Sequence, residues 1–167
     1  TGPKYQVRAA QVQTPEGGTE IRIRDDVKSR WKTLLKGGPE EILGFEDFSQ
    51  DGKSVYIRTS AGSDTARLVS RNLATGAEKV LATSPEVDAG AVIIQPKTHV
   101  VQAVSFEPGR SSWKVLDPSI QADFYGIAKL GSGDFTVVNR TAPDDEWLVA
   151  FTSDRGPGSW YEWARAP

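Results

Sequence analysis

The chain has 167 residues, 20 of them Lys or Arg against 22 Asp or Glu, and this interspersed net charge of -2 gives it no electrostatic draw to nucleic acid or to an anionic membrane. Hydrophobic residues at 38% and charged residues at 25% describe a globular chain rather than a disordered one. The absence of Cys excludes disulfides, thiolate catalysis and zinc–thiolate sites, and no run approaches the ~20 apolar residues of a membrane-spanning helix.

Tyr5 to Ala10 reads as a short strand, ended by the turn Pro15-Glu16-Gly17-Gly18. Glu20-Ile21-Arg22-Ile23-Arg24 alternates apolar with charged residues, the period of a half-buried strand. Trp31 to Leu35 is a third strand or a helical turn, closed by Gly37-Gly38-Pro39. These three elements read as the later strands of a unit over residues 1–40 whose beginning is missing.

The densest pattern lies in residues 41–88. Phe48-Ser49-Gln50-Asp51-Gly52-Lys53 is a turn in which Asp51-Gly52 supplies positive φ, and Val55-Tyr56-Ile57 follows it with β-formers. Arg67 to Asn72 is the next strand, and Thr75-Gly76 marks a second hairpin leading into Glu78-Lys79-Val80-Leu81. That is most of a four-stranded antiparallel sheet within about 45 residues, the size of one propeller blade. A third unit, 89–134, holds Ala91 to Ile94 and Val100 to Phe106, joined by Gln95-Pro96-Lys97-Thr98, and then Ser112 to Leu116. In the same unit a helix is predicted over 118–130. Asp117 is its N-cap, Pro118 stands in its first turn, and Ile120, Phe124, Ile127 and Leu130 share one face, expected to cover a sheet edge. The last unit, 135–167, has strands at Phe135 to Val138, Trp147 to Ser153 and Trp160 to Ala164.

Laid over one another, the units bring Val55-Tyr56 onto Val100-Val101 and onto Leu148-Val149, and Ser60 onto Ser105 and Ser153. Eight residues after those serines stand Leu68, Trp113 and Tyr161. Sandwich strands need not recur in register, so the recurrence predicts an all-β fold of three to four antiparallel propeller blades, an incomplete ring with one short inserted helix. The expected core is Val55, Ile57, Leu68, Val80, Val92, Ile94, Val101, Val104, Val115, Val137, Val149 and Phe151.

Phe48-Ser49-x-Asp51-Gly52-Lys53 followed by strand, loop and Ala74-Thr75-Gly76 resembles the repeat of TolB-type propellers. A narrower likeness lies in Gly62 to Leu68, in Trp113 to Pro118, in Asp145 to Val149 and in Gly156 to Tyr161. Together these resemble the N-terminal propeller of bacterial prolyl oligopeptidase family serine peptidases, the acylaminoacyl-peptidase and dipeptidyl-peptidase-like enzymes. The resemblance implies a seven- or eight-bladed propeller that caps an α/β-hydrolase domain and filters peptide substrates by size, in the bacterial cytoplasm or periplasm. This chain has blades for about half of such a ring. It also lacks Met, so the expectation is a segment of a longer polypeptide, non-catalytic by itself, whose partners are the hydrolase domain and its peptide substrate. The alternative is a TolB-like propeller acting as a protein-interaction or ligand-binding scaffold. A parent sequence continuing into G-x-S-x-G, then Asp, then His would separate the two.

No catalytic, cofactor-binding or metal-ligating residue is assigned. Gly109-Arg110-Ser111-Ser112-Trp113 and Gly156-Pro157-Gly158-Ser159-Trp160 each lack the second Gly of a nucleophile elbow. His99, the single histidine, reads as a turn or strand-edge residue, since a general base needs a nucleophile and a carboxylate converging on it. Asp47-x-Ser49-x-Asp51-Gly52 begins like a calcium-binding loop, but Arg58 occupies the twelfth position, where a bidentate Glu belongs. Glu46-Asp47 and Asp25-Asp26 are adjacent pairs that point to opposite strand faces. Asp144-Asp145-Glu146 reads as solvated turn charge, and Gly131-Ser132-Gly133 as a turn without the strand-then-helix setting of a phosphate loop. The aromatics cluster near the C-terminus: Trp147 and Tyr161 are expected to pack between blades, leaving Trp160 or Trp163 on a surface. An incomplete ring leaves end-blade faces open, so self-association is expected, with Trp160, Tyr161 and Trp163 as the candidate interface.

Overall fold

The computed structural model describes residues 6–165. Within them the chain forms four antiparallel sheets, each a meander of consecutive strands. The first joins β1 (Ala9–Gln13), β2 (Thr19–Ile23) and β3 (Lys32–Gly37). The second joins β4 (Leu43–Phe48), β5 (Ser54–Thr59), β6 (Arg67–Asn72) and β7 (Glu78–Ala82) in that order. The third has β9 (Val101–Phe106) between β8 (Ala89–Ile94) and β10 (Ser112–Val115). The fourth has β12 (Glu146–Ser153) between β11 (Asp134–Arg140) and β13 (Gly156–Ala164). A 3-10 turn at Pro118–Ile120 and the helix α1 (Gln121–Ile127) separate the last two sheets.

The turns follow from their residues. Ser49 and Asp51 close the β4–β5 hairpin: Ser49 Oγ donates to Asp51 Oδ1 at 2.6 Å, and the same carboxylate oxygen accepts from Lys53 N at 3.0 Å. Gly52 takes φ 68°, which a side chain would resist. This is turn chemistry, as expected. At the next hairpin Asn72 Oδ1 accepts from the N–H groups of Ala74 and Thr75. The helix start also forms as predicted, with the Asp117 side chain accepting from Ser119 N at 3.0 Å and Pro118 in the first turn.

Successive sheets bury their facing residues against one another. Ile21 of the first sheet packs with Leu43, Phe48, Val55, Ile57 and Val69 of the second. The second turns Leu68 and Ala82 toward Ala89, Val101, Val104 and Phe106 of the third. Ile93 and Ala103 of the third meet Trp147, Val149 and Phe151 of the fourth, with Ile120, Phe124 and Ile127 wedged among them. The helix is therefore part of a core between two sheets, a correction to its expected place over a sheet edge. No helix among the described residues is long and apolar enough to cross a bilayer.

Other expectations shift in detail. The first strand begins at Ala9, while Tyr5 lies outside the described residues. The third strand begins at Lys32, and Trp31 stays exposed with the Arg24 guanidinium 4.5 Å over its ring. The α-helix ends at Ile127 and Leu130 is exposed, because Lys129 and Leu130 donate to carbonyls three residues back, a tightened last turn that leads into Gly131. Val55, Ile57, Leu68, Val101, Val104, Val149 and Phe151 are buried, whereas Val92, Ile94, Val115 and Val137 are half-buried. Val80 is 44% exposed: it pairs with Val69 on the edge strand β7, beyond the reach of the core shared with the first sheet. The overlay is one residue out between the second unit and the two after it, since Val100 and Leu148 are exposed where Val55 is buried, and Val101 and Val149 are buried instead.

Candidate functional site

Apart from the exposed Arg110–Asp154 pair, the ionisable side chains that touch across sheets lie mostly beside equivalent turns, those joining the first two strands of the second, third and fourth sheets. His99 sits in the third sheet's turn with φ 55°. Its Nδ1 lies 2.7 Å from Oδ2 of Asp47, which follows a bulge in β4. Asp47 is thereby swung toward the neighbouring sheet and paired, while its neighbour Glu46 bonds Arg58 on its own sheet. The adjacent pair is split, as expected. Tyr56, beside Asp47, has its phenol pKa raised by burial and by the charges of Asp47 and Asp51.

A larger network joins the third and fourth sheets. Arg140 at the end of β11 donates to Gln102 Oε1 at 2.6 Å and to Asp144 Oδ1 at 3.4 Å. Asp144 holds φ 67° and its carboxylate also accepts from the Trp147 indole N–H at 2.8 Å and from Arg165 Nη1 at 3.0 Å. Arg165 continues to Asp123 Oδ2 at 2.9 Å and to the Ser119 carbonyl at 3.1 Å. Asp123 accepts on its other oxygen from the Trp163 indole at 2.9 Å. The Trp147 ring lies between two guanidinium groups, Arg140 at 4.6 Å and Arg165 at 4.8 Å. Burial lowers the Arg140 pKa from its ordinary value, opposed by the charge and hydrogen bond of Asp144. The backbone N–H of Ser119 is the leading cause of a lowered pKa at Asp117, whose carboxylate also meets Gln102 at 3.4 Å.

Arg140 and Arg165 are balanced by Asp144 and Asp123, each of which also accepts from an indole N–H. Its geometry positions elements: it fixes the helix, the 141–145 turn and the end of β13 relative to one another. Asp144 is buried, which corrects its reading as solvated turn charge; Asp145 and Glu146 are exposed. Arg140, Asp123, Gln102 and Arg165 went unnoticed in the sequence. The one hint available was an Asp three residues before an inward-facing Trp.

Asp47 and His99 form two members of a carboxylate–imidazole–nucleophile arrangement, and among the described residues no hydroxyl meets the other imidazole nitrogen. Gly131 and Gly133 form a plain turn against β12, where a Cβ on Gly131 would press on Phe151. Of the candidate interface aromatics, Trp160 is 62% exposed on the outer face of the fourth sheet. Tyr161 and Trp163 lie on the other face, Tyr161 edge-on to Phe151 with ring centroids 5.5 Å apart and Trp163 against the helix at Gly126.

No family model matches the chain. It is similar to dipeptidyl aminopeptidase BIII of Pseudoxanthomonas mexicana, with 32% identity over 164 residues, 97% of this chain and 24% of that protein. The chain thus spans about a quarter of the length of the relative it matches.

Proposed function

We propose that this chain is four successive blades of the β-propeller of a dipeptidyl-aminopeptidase-like serine peptidase. In this reading it has no catalytic residue of its own and restricts which peptides reach an α/β-hydrolase domain carried elsewhere on the polypeptide. The similarity to a dipeptidyl aminopeptidase along almost the whole chain is the observation that carries the proposal. Four antiparallel meanders, stacked face to face in chain order, are the arrangement that propeller blades adopt. The first strands of the last two sheets flank a hollow of about 280 Å³ lined by Ile94, Pro96, Val138 and Asn139, and in this reading that hollow faces the passage substrates take.

The test has two arms. The isolated chain, given dipeptidyl chromogenic substrates, is expected to show only background hydrolysis; turnover abolished by a serine-directed fluorophosphonate overturns the non-catalytic reading. In the longer polypeptide, Val138→Gly with Asn139→Gly is expected to speed cleavage of long peptides relative to dipeptidyl derivatives by several-fold. Equal effects on both substrate classes, or none, overturn the gating role.

A further inference from the structure

The junction between the second and third sheets lies inside the series, with the first sheet behind one wall and the fourth behind the other. Beside the edge strands β7 and β10 it leaves a hollow of about 450 Å³. One wall is a row of polar side chains on the second sheet. Tyr56 of β5 stands opposite Ser70 of β6, and Ser70 opposite Lys79 of β7, so the three share the face that Tyr56 packs toward the third sheet. The other wall is apolar, with Val100 before β9 and Leu116 after β10, and Leu81 adds apolar surface from β7. Lys114 pairs with Val104, whose side chain faces the second sheet, so Lys114 stands on the same face as Leu116.

The polar groups of this hollow are uncommitted. Among the described residues the Tyr56 and Ser70 hydroxyls bond no other group, and neither the Lys79 nor the Lys114 ammonium pairs with a carboxylate. The carboxylates close by are taken: Glu78 holds Arg71 at 2.7 Å, and Asp47, beside Tyr56 at the far end of the row, holds His99 at 2.7 Å. Burial, and then the charges of Asp47 and Asp51, raise the Tyr56 phenol pKa, which keeps its proton in place as a donor. Val80 and Val100, each 44% exposed, present apolar surface that no core covers. We infer that this hollow binds a small organic carboxylate with an apolar body, an alkyl or aryl-alkyl acid. The Tyr56, Ser70 and Lys79 donors take the carboxylate, with the Lys114 charge across from them, and the body lies on Val100, Leu116 and Leu81. Aliphatic walls with a few convergent polar groups are the usual make-up of a small-molecule site, and charge-assisted bonds of this kind are the strong ones. A cationic ligand would instead meet two like charges. The inference stands on a junction between two consecutive sheets and not on the peptidase reading, and assays of hydrolysis leave it untouched.

Titration with hydrocinnamate, followed by calorimetry and by the methyl signals of labelled valines, tests it. A dissociation constant of roughly 1 mM is expected, ordinary for a ligand of that size, with the Val80 and Val100 methyls shifting. The neutral amide of the same acid is expected to bind at least about fivefold more weakly, the loss of one charge-assisted contact, and phenylpropylamine not at all. Lys79→Gln and Lys114→Gln are each expected to weaken hydrocinnamate about two- to fivefold, the scale of an exposed ion pair. Tyr56→Phe is expected to weaken it about fivefold through one lost hydrogen bond. Val100→Asp is expected to abolish binding by setting a like charge against the ligand. Circular dichroism and thermal melts establish that each variant is folded. The same titration on the longer polypeptide is expected to give the same constant. No binding below about 20 mM, an amide as tight as the acid, shifts confined to other valines, indifference to these substitutions, or loss of binding in the longer polypeptide each overturns the inference.

Discussion

The indole N–H of Trp147 donates to Asp144, three residues earlier, and the same carboxylate holds Arg140 and Arg165 on either side of the indole ring. One acidic side chain thus satisfies three buried donors at the place where β11, β12 and β13 come together. Removing it leaves the indole N–H without its acceptor and the largely buried Arg140 guanidinium without its carboxylate, while Arg165 keeps Asp123. Breaking a buried charge pair from one side costs about 3–5 kcal/mol. Asp144→Ala is expected to fall in that range by urea denaturation. Asp145→Ala, exposed one residue on, is expected to change stability by at most about 1 kcal/mol, the scale of a solvated hydrogen bond to Thr141.

His99 and Asp47 link the second and third sheets through one partly buried hydrogen bond of 2.7 Å. A contact of this kind contributes about 0.5–1.5 kcal/mol net. His99→Ala and Asp47→Ala are expected to lose about that much singly, and the double variant little more than either. A double-mutant cycle by chemical denaturation checks it, and full additivity would show that the pair does not interact.

Gly126 lies where the ring of Trp163 crosses the helix, and a Cβ there would overlap the ring. In an open helix Gly→Ala stabilises by about 0.5–1 kcal/mol. Here the sign is expected to reverse, because the ring must move and its bond to Asp123 with it, at about 1–3 kcal/mol for overpacking. A thermal melt followed by tryptophan emission reads both effects.

Glu20 has its pKa lowered to about 2, first by the Arg22 hydrogen bond and then by Thr33. A depressed folded-state pKa means that the unfolded chain binds the proton more readily, so stability falls as protons are added. The contribution is complete above the ordinary glutamate pKa of about 4.3 and is lost as pH drops toward 2. Melting temperatures between pH 6 and 2 are expected to fall with acid, and Glu20→Gln is expected to flatten that slope. An unchanged slope in the variant would assign the acid sensitivity to other carboxylates.

Val55 and Ile57 are fully buried between the first two sheets, while Val80 stands exposed on β7. Ile57→Ala is expected to destabilise by about 2–4 kcal/mol through lost transfer energy and the cavity left behind. Val80→Ala is expected to stay within about 0.5 kcal/mol. Paired denaturation curves of the two variants check the assignment of faces.

The turns and strands were legible in the sequence because local chemistry fixes them: Asp51-Gly52, Asn72 to Gly76 and the Asp117 cap each act within a few residues. The overlay of the units slipped because loops differ in length. The β8–β9 turn spans 95–100, whereas its counterparts span 49–53 and 141–145, so one additional residue moves alternate side chains to the opposite face. The Arg140–Asp144–Arg165 network was hidden for another reason. Buried charge depends on partners 21 to 42 residues away, and nothing in Asp144-Asp145-Glu146 distinguishes the carboxylate that turns inward.

Every strand pairs only with its neighbour in sequence, and this has a consequence for how the chain is made. A ribosome adding residues at roughly 5–20 per second releases a complete meander every few seconds, before the next has been translated. The nascent chain can therefore fold by accretion, each finished sheet serving as the template on which the following one condenses, as repeat proteins do. The helix departs from that order. Phe124 must wait for Trp147 and Phe135, so the segment after β10 keeps its apolar face exposed until the fourth sheet emerges, and a translational pause there would lengthen the exposure.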